Sequence, residues 1–333
     1  MRTLSKEFDF LKEFFGLTRT SKTYSFFLIY IVINIASSFL LVSVLDYSSM
    51  DPMIYSIIGQ LAMFLPLILI GPKMFYENPK TTFSIYKISV GDVIAAIALT
   101  FAIGPITSLL SLITSIFFPN VVSTDLATAY QSPFIYSVIS ICVIPAVCEE
   151  LIFRGVVFSG FKNLSLKKAC ILGGIIFSVA HFDPQQSLYT FAVGVLFCYI
   201  VYRTKSVFPG MISHFCLNFS QLMFSRISFS LTAADTAAGE IVMTDALMAQ
   251  YVLQYLFLSV FSIPIILYLV SLMGRKYGRG KPLFAKLLMP KKEFVIEDES
   301  VFDYAPQQQY EEKFFDWQLI LILILYILFI LLL

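Results

Sequence analysis

Two adjacent carboxylates interrupt one of the most apolar stretches of this sequence. Glu149 and Glu150 lie in the segment CEELIFRG, and Arg154 follows Glu150 at the i+4 position. On a helix, that spacing lets the guanidinium of Arg154 pair with the carboxylate of Glu150. Glu149 points about 100° away around the same helix and lacks that partner. Its carboxylate is therefore available for acid–base chemistry.

The chain has two histidines, and both fall within apolar segments. His181 follows Phe177 at the i+4 spacing, and His214 precedes Asn218 at the same spacing. An ionisable group within lipid costs at least about 2.5 kcal/mol to insert, so such residues are functional candidates by default. Glu149 and these polar residues lie on three helices, and we predict that they face one cavity.

This set of side chains supports two schemes of amide hydrolysis. In the first, Glu149 and His181 deprotonate a water molecule, while His214 and Asn218 donate hydrogen bonds to the developing oxyanion. In the second, Glu149, His181 and His214 bind zinc or another divalent metal, with water as the fourth ligand. The residues by themselves leave both schemes open.

The composition predicts the environment of these helices. Hydrophobic residues make up 58% of the 333 residues and charged residues 14%, and the mean hydropathy is +0.82. Soluble domains do not have this profile, so we predict a polytopic membrane protein. The predicted fold is an all-α bundle of eight transmembrane helices, at 24–45, 52–72, 92–118, 133–156, 168–182, 186–202, 206–226 and 250–273. Pro145 cannot donate a hydrogen bond to the carbonyl of Ile141, which predicts a loosened helix just before the glutamates.

The lysines and arginines alternate between the loops that connect these spans. The N-terminal segment 1–23 carries five of them, whereas the next loop, around 46–51, carries none. Short cytoplasmic loops are enriched in these residues, so the N-terminus is predicted to be cytoplasmic. The transmembrane core is predicted at 24–275, followed by a basic and then acidic cytoplasmic tail at 276–316.

The last hydrophobic segment, the cysteines and the net charge lead to three further expectations. The final hydrophobic segment, 317–333, lacks the small or polar residues that pack membrane helices, so it is predicted to be a peripheral anchor. The five cysteines fall within predicted spans, and no disulfide is expected. A net charge of +1 gives no indication of nucleic acid as a partner. The expected partners are the lipid bilayer and a membrane-associated peptide or protein, and the oligomeric state is left open.

Three motifs carry a resemblance to a known family. EELIFR at 149–154, FSVAH at 177–181 and HFCLN at 214–218 resemble the EExxxR, FxxxH and HxxxN/B motifs of the CPBP family. This family, also called Abi, includes CAAX-type proteases and bacteriocin-processing enzymes. Each motif alone is weak, but all three occur in order on separate predicted helices. The resemblance covers the region 132–225.

The resemblance implies an intramembrane endopeptidase similar to the Ras-converting CAAX endopeptidases, which remove the last three residues of prenylated proteins. It implies that Glu149 and His181 activate water, that His214 and Asn218 hold the oxyanion, and that Glu150 with Arg154 supports them. Both a metal-dependent and a metal-free glutamate mechanism have been considered for this family. The metal-free mechanism is favoured, and no cofactor with it, because an asparagine amide suits a hydrogen-bond donor better than a zinc ligand.

Two other classes of function are considered beside the protease. One is a non-catalytic membrane scaffold or regulator of the same family. The other is a proton-coupled transporter, which is disfavoured because no inverted repeat is evident. The expected location is the plasma membrane of a bacterium.

The depths in the membrane expected for the two histidines disagree. At 1.5 Å per residue, His214 lies roughly 12 Å from the cytoplasmic end of its helix, and His181 lies roughly 20 Å from Lys168. The two depths do not coincide unless the fifth helix is short or tilted. The resemblance implies a cavity that opens to the cytoplasm.

Overall fold

The computed structural model describes residues 18–75, 77–234, 245–274 and 315–332. Residues 1–17 of the predicted N-terminal segment, and residues 276–314 of the tail predicted at 276–316, lie outside the described residues. All regular secondary structure in the described ranges is helical, which confirms the all-α prediction.

The helices follow one another with short connections. In chain order they are α1 (Arg19–Val44), α2 (Pro52–Phe75), α3 (Val90–Ser115), α4 (Val121–Gln131), α5 (Phe134–Gly160), α6 (Leu166–Val179), α7 (Ser187–Thr204), α8 (Phe208–Ala234), α9 (Asp245–Leu272) and α10 (Trp317–Leu332). Single helical turns at Tyr47–Ser49 and Pro79–Thr82 lie in the connections. Helix α1 begins before the predicted residue 24 because Thr18 caps it, its side chain accepting a hydrogen bond from the backbone N–H of Ser21.

Six helices in the described part of the chain are long and apolar enough to cross a membrane, namely α1, α2, α3, α5, α7 and α9. The predicted count of eight is therefore not confirmed, although each predicted span coincides with a helix. Helix α6 has 14 residues and is about 21 Å long, which is less than the hydrocarbon thickness of about 30 Å. Helix α8 is long, but polar residues such as His214, Asn218 and Gln221 lower its hydropathy.

Helix α5 occupies the centre of the bundle. It packs against α1, α2, α6, α7 and α8, and its side chains Ile152, Val156 and Phe158 are fully buried. Small residues bring α6 and α7 close together: a Cβ atom on Gly194 would lie 2.8 Å from the Cα atom of Gly174. Close backbone approach at small residues is typical of membrane helix pairs, and here it fixes the position of the segment that leads to His181.

One end of the bundle gathers most of the described lysines and arginines, and we call it the cation-rich end. It holds the start of α1 and the connections α2–α3, α5–α6 and α7–α8. Glu77 contacts Arg19 at 3.0 Å and Lys162 at 2.7 Å, which joins three of these segments. Arg203 donates hydrogen bonds to the carbonyls of Ser271 and Met273, at 3.0 Å and 2.8 Å.

Helix α10 lies along α1 at the edge of the bundle. Near its start, Asp316 accepts a hydrogen bond from Ser21, and near its other end the ring of Phe329 contacts that of Phe182, 5.4 Å away. Leu319 and Ile322 are buried in the main hydrophobic core. The helix therefore runs from the cation-rich end to the opposite end.

Candidate active site

The glutamates lie in a widened part of α5. Two stretches of this helix, Val138–Val143 and Pro145–Val157, are π-helical, so their backbone hydrogen bonds join residues five apart. This observation agrees with the loosening expected from Pro145. The side-chain amide of Asn218 donates a hydrogen bond of 2.8 Å to the carbonyl of Ile141, the group that Pro145 cannot satisfy in an α-helix. Asn218 thus links α8 to the loosened turn of α5.

Glu150 is the buried acceptor behind the site. Its Oε1 atom lies 2.9 Å from Nη1 of Arg154 and 3.0 Å from Nδ1 of His214. Glu150 and Arg154 are fully buried and His214 is nearly so. The predicted pairing of Glu150 with Arg154 is present, and the additional contact with His214 comes from a residue 64 positions away in the chain.

Arg154 is held by aromatic rings as well as by Glu150. Its guanidinium carbon lies 4.0 Å from the centre of the Phe177 ring and 5.2 Å from that of Phe197. No guanidinium nitrogen makes a hydrogen bond within the described residues, because the short contact with Glu150 lacks hydrogen-bond geometry. Cation–π attraction, which reaches about 2 kcal/mol when desolvated, therefore supplements the ion pair.

Each histidine contacts an oxygen atom of the protein through its Nδ1 atom. Nδ1 of His181 lies 2.7 Å from the carbonyl oxygen of Phe177, which can only accept, so Nδ1 carries the proton. Nδ1 of His214 faces the carboxylate of Glu150 and is a donor for the same reason. In each neutral ring, the Nε2 atom is left with a free lone pair.

A cavity of about 500 Å³ contains the predicted site. Glu149, His181, His214 and Asn218 all line it, as the sequence predicted, whereas Glu150 and Arg154 lie behind its wall. The Oε2 atom of Glu149 is buried and has no hydrogen-bond partner within the described ranges. An ionised carboxylate in that state is poised to accept a proton or a hydrogen bond from a molecule in the cavity.

His181 lies just beyond the end of α6 and not within a helical span, which corrects the prediction. Helix α6 ends at Val179, the backbone N–H of His181 donates to the carbonyl of Ser178, and Phe182 adopts a positive φ of 48°. Because α6 is short, its far end stays within the depth of the bundle. The short helix removes the conflict between the depths expected for His181 and His214.

Sequence reasoning missed part of the cavity. Phe177 lines the cavity, and its ring contacts not only His181 but also Arg154 and His214, which spacing along the chain did not predict. Ser56, Gln60 and Ser140 form a hydrogen-bonded group that also lines the cavity. The i+4 spacing of Ser56 and Gln60 on α2 was the available signal for this group.

The alternative metal site would use Glu149, His181 and His214 as its ligands. Within the described part of the chain, no group of three or more His, Cys, Asp or Glu residues is arranged to hold a metal ion. Glu149, His181 and His214 share the cavity, but they do not form a ready ligand set.

Comparisons with known proteins agree with this region of the chain. Residues 131–220 match the family model described as "Type II CAAX prenyl endopeptidase Rce1-like". Over 77 residues the chain is 26% identical to the Bacillus subtilis (strain 168) protein named "Putative membrane peptidase YdiL". That match covers 23% of this chain and 32% of the relative, so the chain spans about a third of the relative's length. No solved structure shows significant similarity. Residues 131–220 are therefore similar to the domain of the CPBP, or CAAX protease, family.

Proposed function

We propose that this protein is an intramembrane endopeptidase that hydrolyses a peptide bond of a membrane-associated protein or peptide. One observation carries the proposal: the unpartnered carboxylate of Glu149 lines the same cavity as His181, whose Nε2 atom bears a free lone pair. Two proton acceptors beside one cavity are what the activation of a water molecule requires. The family domain supports a protease in general, and the roles of individual residues are part of the proposal.

Glu149 and His181 activate the water. The water oxygen attacks the carbonyl carbon of the scissile bond while its proton passes to this pair of residues. That proton is then delivered to the amide nitrogen and the C–N bond breaks. The new carboxylic acid gives up the second water proton to the amine, so a carboxylate and an ammonium leave. The Nδ1 contact with Phe177 holds the ring of His181 in the tautomer that can accept this proton.

His214 and Asn218 stabilise the oxyanion. One N–H of the Asn218 amide is bound to the carbonyl of Ile141, and the second is available for the substrate. Nε2 of His214 can donate only when the ring is protonated, because Nδ1 already carries a hydrogen toward Glu150. The Glu150 carboxylate orients the His214 ring through Nδ1 and is itself paired with Arg154, and this is the supporting role that we assign to Glu150 and Arg154.

A non-catalytic scaffold is the second candidate, and a cleavage assay separates the two. The purified full-length protein would be incubated with a library of membrane peptides, and products would be identified by mass spectrometry. Glu149→Gln is expected to lower cleavage by roughly 10²–10⁴-fold, the usual contribution of a general base. Asp125→Asn is the matched control, since it makes the same carboxylate-to-amide change at the mouth of the same cavity.

The outcomes of the assay are distinct. Full activity in Glu149→Gln would contradict the assigned role of Glu149. If the wild-type protein cleaves nothing, and Glu149→Gln restores function in cells as well as wild type does, the scaffold is correct. Loss of cleavage on addition of a chelator, restored by zinc, would instead favour the metal-dependent scheme.

A further inference from the structure

The cavity has its mouth at the end of the bundle opposite to the cation-rich end. It is lined by Tyr47 from the α1–α2 connection, Tyr55 in the first turn of α2, Asp125 from α4, and Gln186 and Tyr189 at the start of α7. Tyr47 is 54% exposed, and Asp125 is also exposed. These segments form the rim.

The cavity is closed toward the cation-rich end. Beyond Glu149 and His214 lies a layer formed by Arg154, Phe153, Phe197 and Val156, each at most 2% exposed. No residue of the cation-rich connections lines the cavity within the described part of the chain. A substrate therefore reaches Glu149 through the mouth and not through this layer.

The charges of the two ends differ in sign. Among described residues of the helix ends and connections, the cation-rich end holds Arg19, Lys22, Lys73, Lys80, Lys87, Lys162, Lys167, Lys168, Arg203 and Lys205. At the mouth end, the described cation is Arg226, which donates a hydrogen bond of 3.0 Å to the carbonyl of Ala129. Asp46, Asp51 and Asp183 lie in the connections of that end. Lysine and arginine mark the cytoplasmic side of a membrane protein.

We propose that the catalytic cavity opens on the non-cytoplasmic face of the membrane, so that its substrate is a peptide segment exposed on that face. The proposal rests on the proposed function, and it departs from the cytoplasmic opening that the family resemblance implies. A prenylated C-terminus in the cytoplasmic leaflet would have to pass the Arg154 layer to reach Glu149. The substrate class is therefore an exported peptide, or an outward-facing segment of a membrane protein.

Cysteine labelling in intact cells tests the orientation. Asn120→Cys and Asn78→Cys are a matched pair, because both asparagines are exposed and each caps a short helix, at the mouth end and the cation-rich end respectively. The wild-type chain, with its five free cysteines, gives the background. A membrane-impermeant maleimide is expected to label Asn120→Cys in intact cells and Asn78→Cys only after permeabilisation. The reverse pattern would overturn the proposal.

A variant inside the cavity tests the opening itself. Ser56 lines the cavity and is partly buried, so Ser56→Cys is expected to react in intact cells with a small charged thiosulfonate. Reaction only after permeabilisation would show that the cavity opens to the cytoplasm and would overturn the proposal. Labelling does not depend on cleavage. An inactive protein that labels as expected would refute the proposed protease function while leaving the orientation intact.

Discussion

Carboxylates at the two ends of the bundle have pKa values that are shifted in opposite directions. At the cation-rich end, partial burial raises the pKa of Glu77, but the neighbouring Lys162 and Arg19 outweigh it and hold the pKa below its ordinary value. At the mouth end, Asp125 has no ion pair to a described residue. Although its surface is exposed, the surrounding protein displaces part of its hydration, and this effect together with the charge of Asp183 raises its pKa.

This difference indicates that charged side chains have different roles at the two ends of the bundle. At the cation-rich end, ion pairs between charged side chains join α1, α2 and the end of α5. The mouth end and the cavity keep Asp125 and Glu149 outside any ion pair within the described residues. Unpaired carboxylates do not stabilise a fold, and the buried one, Glu149, lies where the proposed reaction needs a proton acceptor.

The largest effect is expected at the layer that separates the two regions. Arg154→Met leaves the buried carboxylate of Glu150 without its cation, which should lower the free energy of unfolding by about 3–5 kcal/mol. Adding Glu150→Gln should recover much of this loss, because no uncompensated charge is then buried. Unfolding in detergent, followed by circular dichroism, measures both. Equal stability of the single and double variants would argue against the ion pair as the cause.

A substitution beside Glu150 tests how closely the site is positioned. A Cβ atom on Gly210 would lie 2.7 Å from Oε2 of Glu150, so Gly210→Ala should displace Glu150 and with it His214. A displacement of this kind can lower cleavage by roughly 10²-fold. Gly104→Ala is the matched control, since nothing lies within 4 Å of its added Cβ. If both variants retain full activity, the geometry around Glu150 is not critical for cleavage.

A smaller effect on stability is expected at the cation-rich end. Glu77→Gln removes the shared partner of Arg19 and Lys162, and after allowance for solvent screening the cost should be about 0.5–1 kcal/mol. Because the pKa of Glu77 is lowered in the folded state, its contribution is present above the unfolded pKa and is lost as pH falls through the folded pKa. Thermal unfolding of wild type should therefore lose more stability on acidification than that of the variant. Parallel pH profiles would contradict the role of Glu77.

The smallest effect, of opposite sign, is expected at the mouth. The raised pKa of Asp125 means that its ionisation opposes folding as pH rises from its unfolded pKa through its folded pKa. Asp125→Asn removes that opposition, so the variant should be slightly more stable at neutral pH, by less than about 0.5 kcal/mol. The gain should vanish at a pH below both pKa values. A loss of stability at neutral pH would indicate that Asp125 has a favourable partner.

The features within single helices were predictable. The apolar runs predicted the helices, and the i+4 spacing predicted the contact between Glu150 and Arg154. The count of membrane-crossing helices was less predictable, because α6 is short and α8 is too polar to satisfy simple criteria of length and hydropathy. The position of His181 beyond the end of α6 was missed for a related reason: a continuous apolar run does not mark where a helix ends.

By itself, the sequence determined the surrounding solvent, the helices and the residue types available for chemistry, because hydropathy and local spacing depend on neighbours along the chain. The tertiary structure alone decided that His214 contacts Glu150, that Asn218 binds the carbonyl of Ile141, and that the cavity has its mouth opposite to the cation-rich end. These features depend on the relative rotation and height of packed helices. Close contacts between residues far apart in the chain, such as that of Gly194 with Gly174, set that packing.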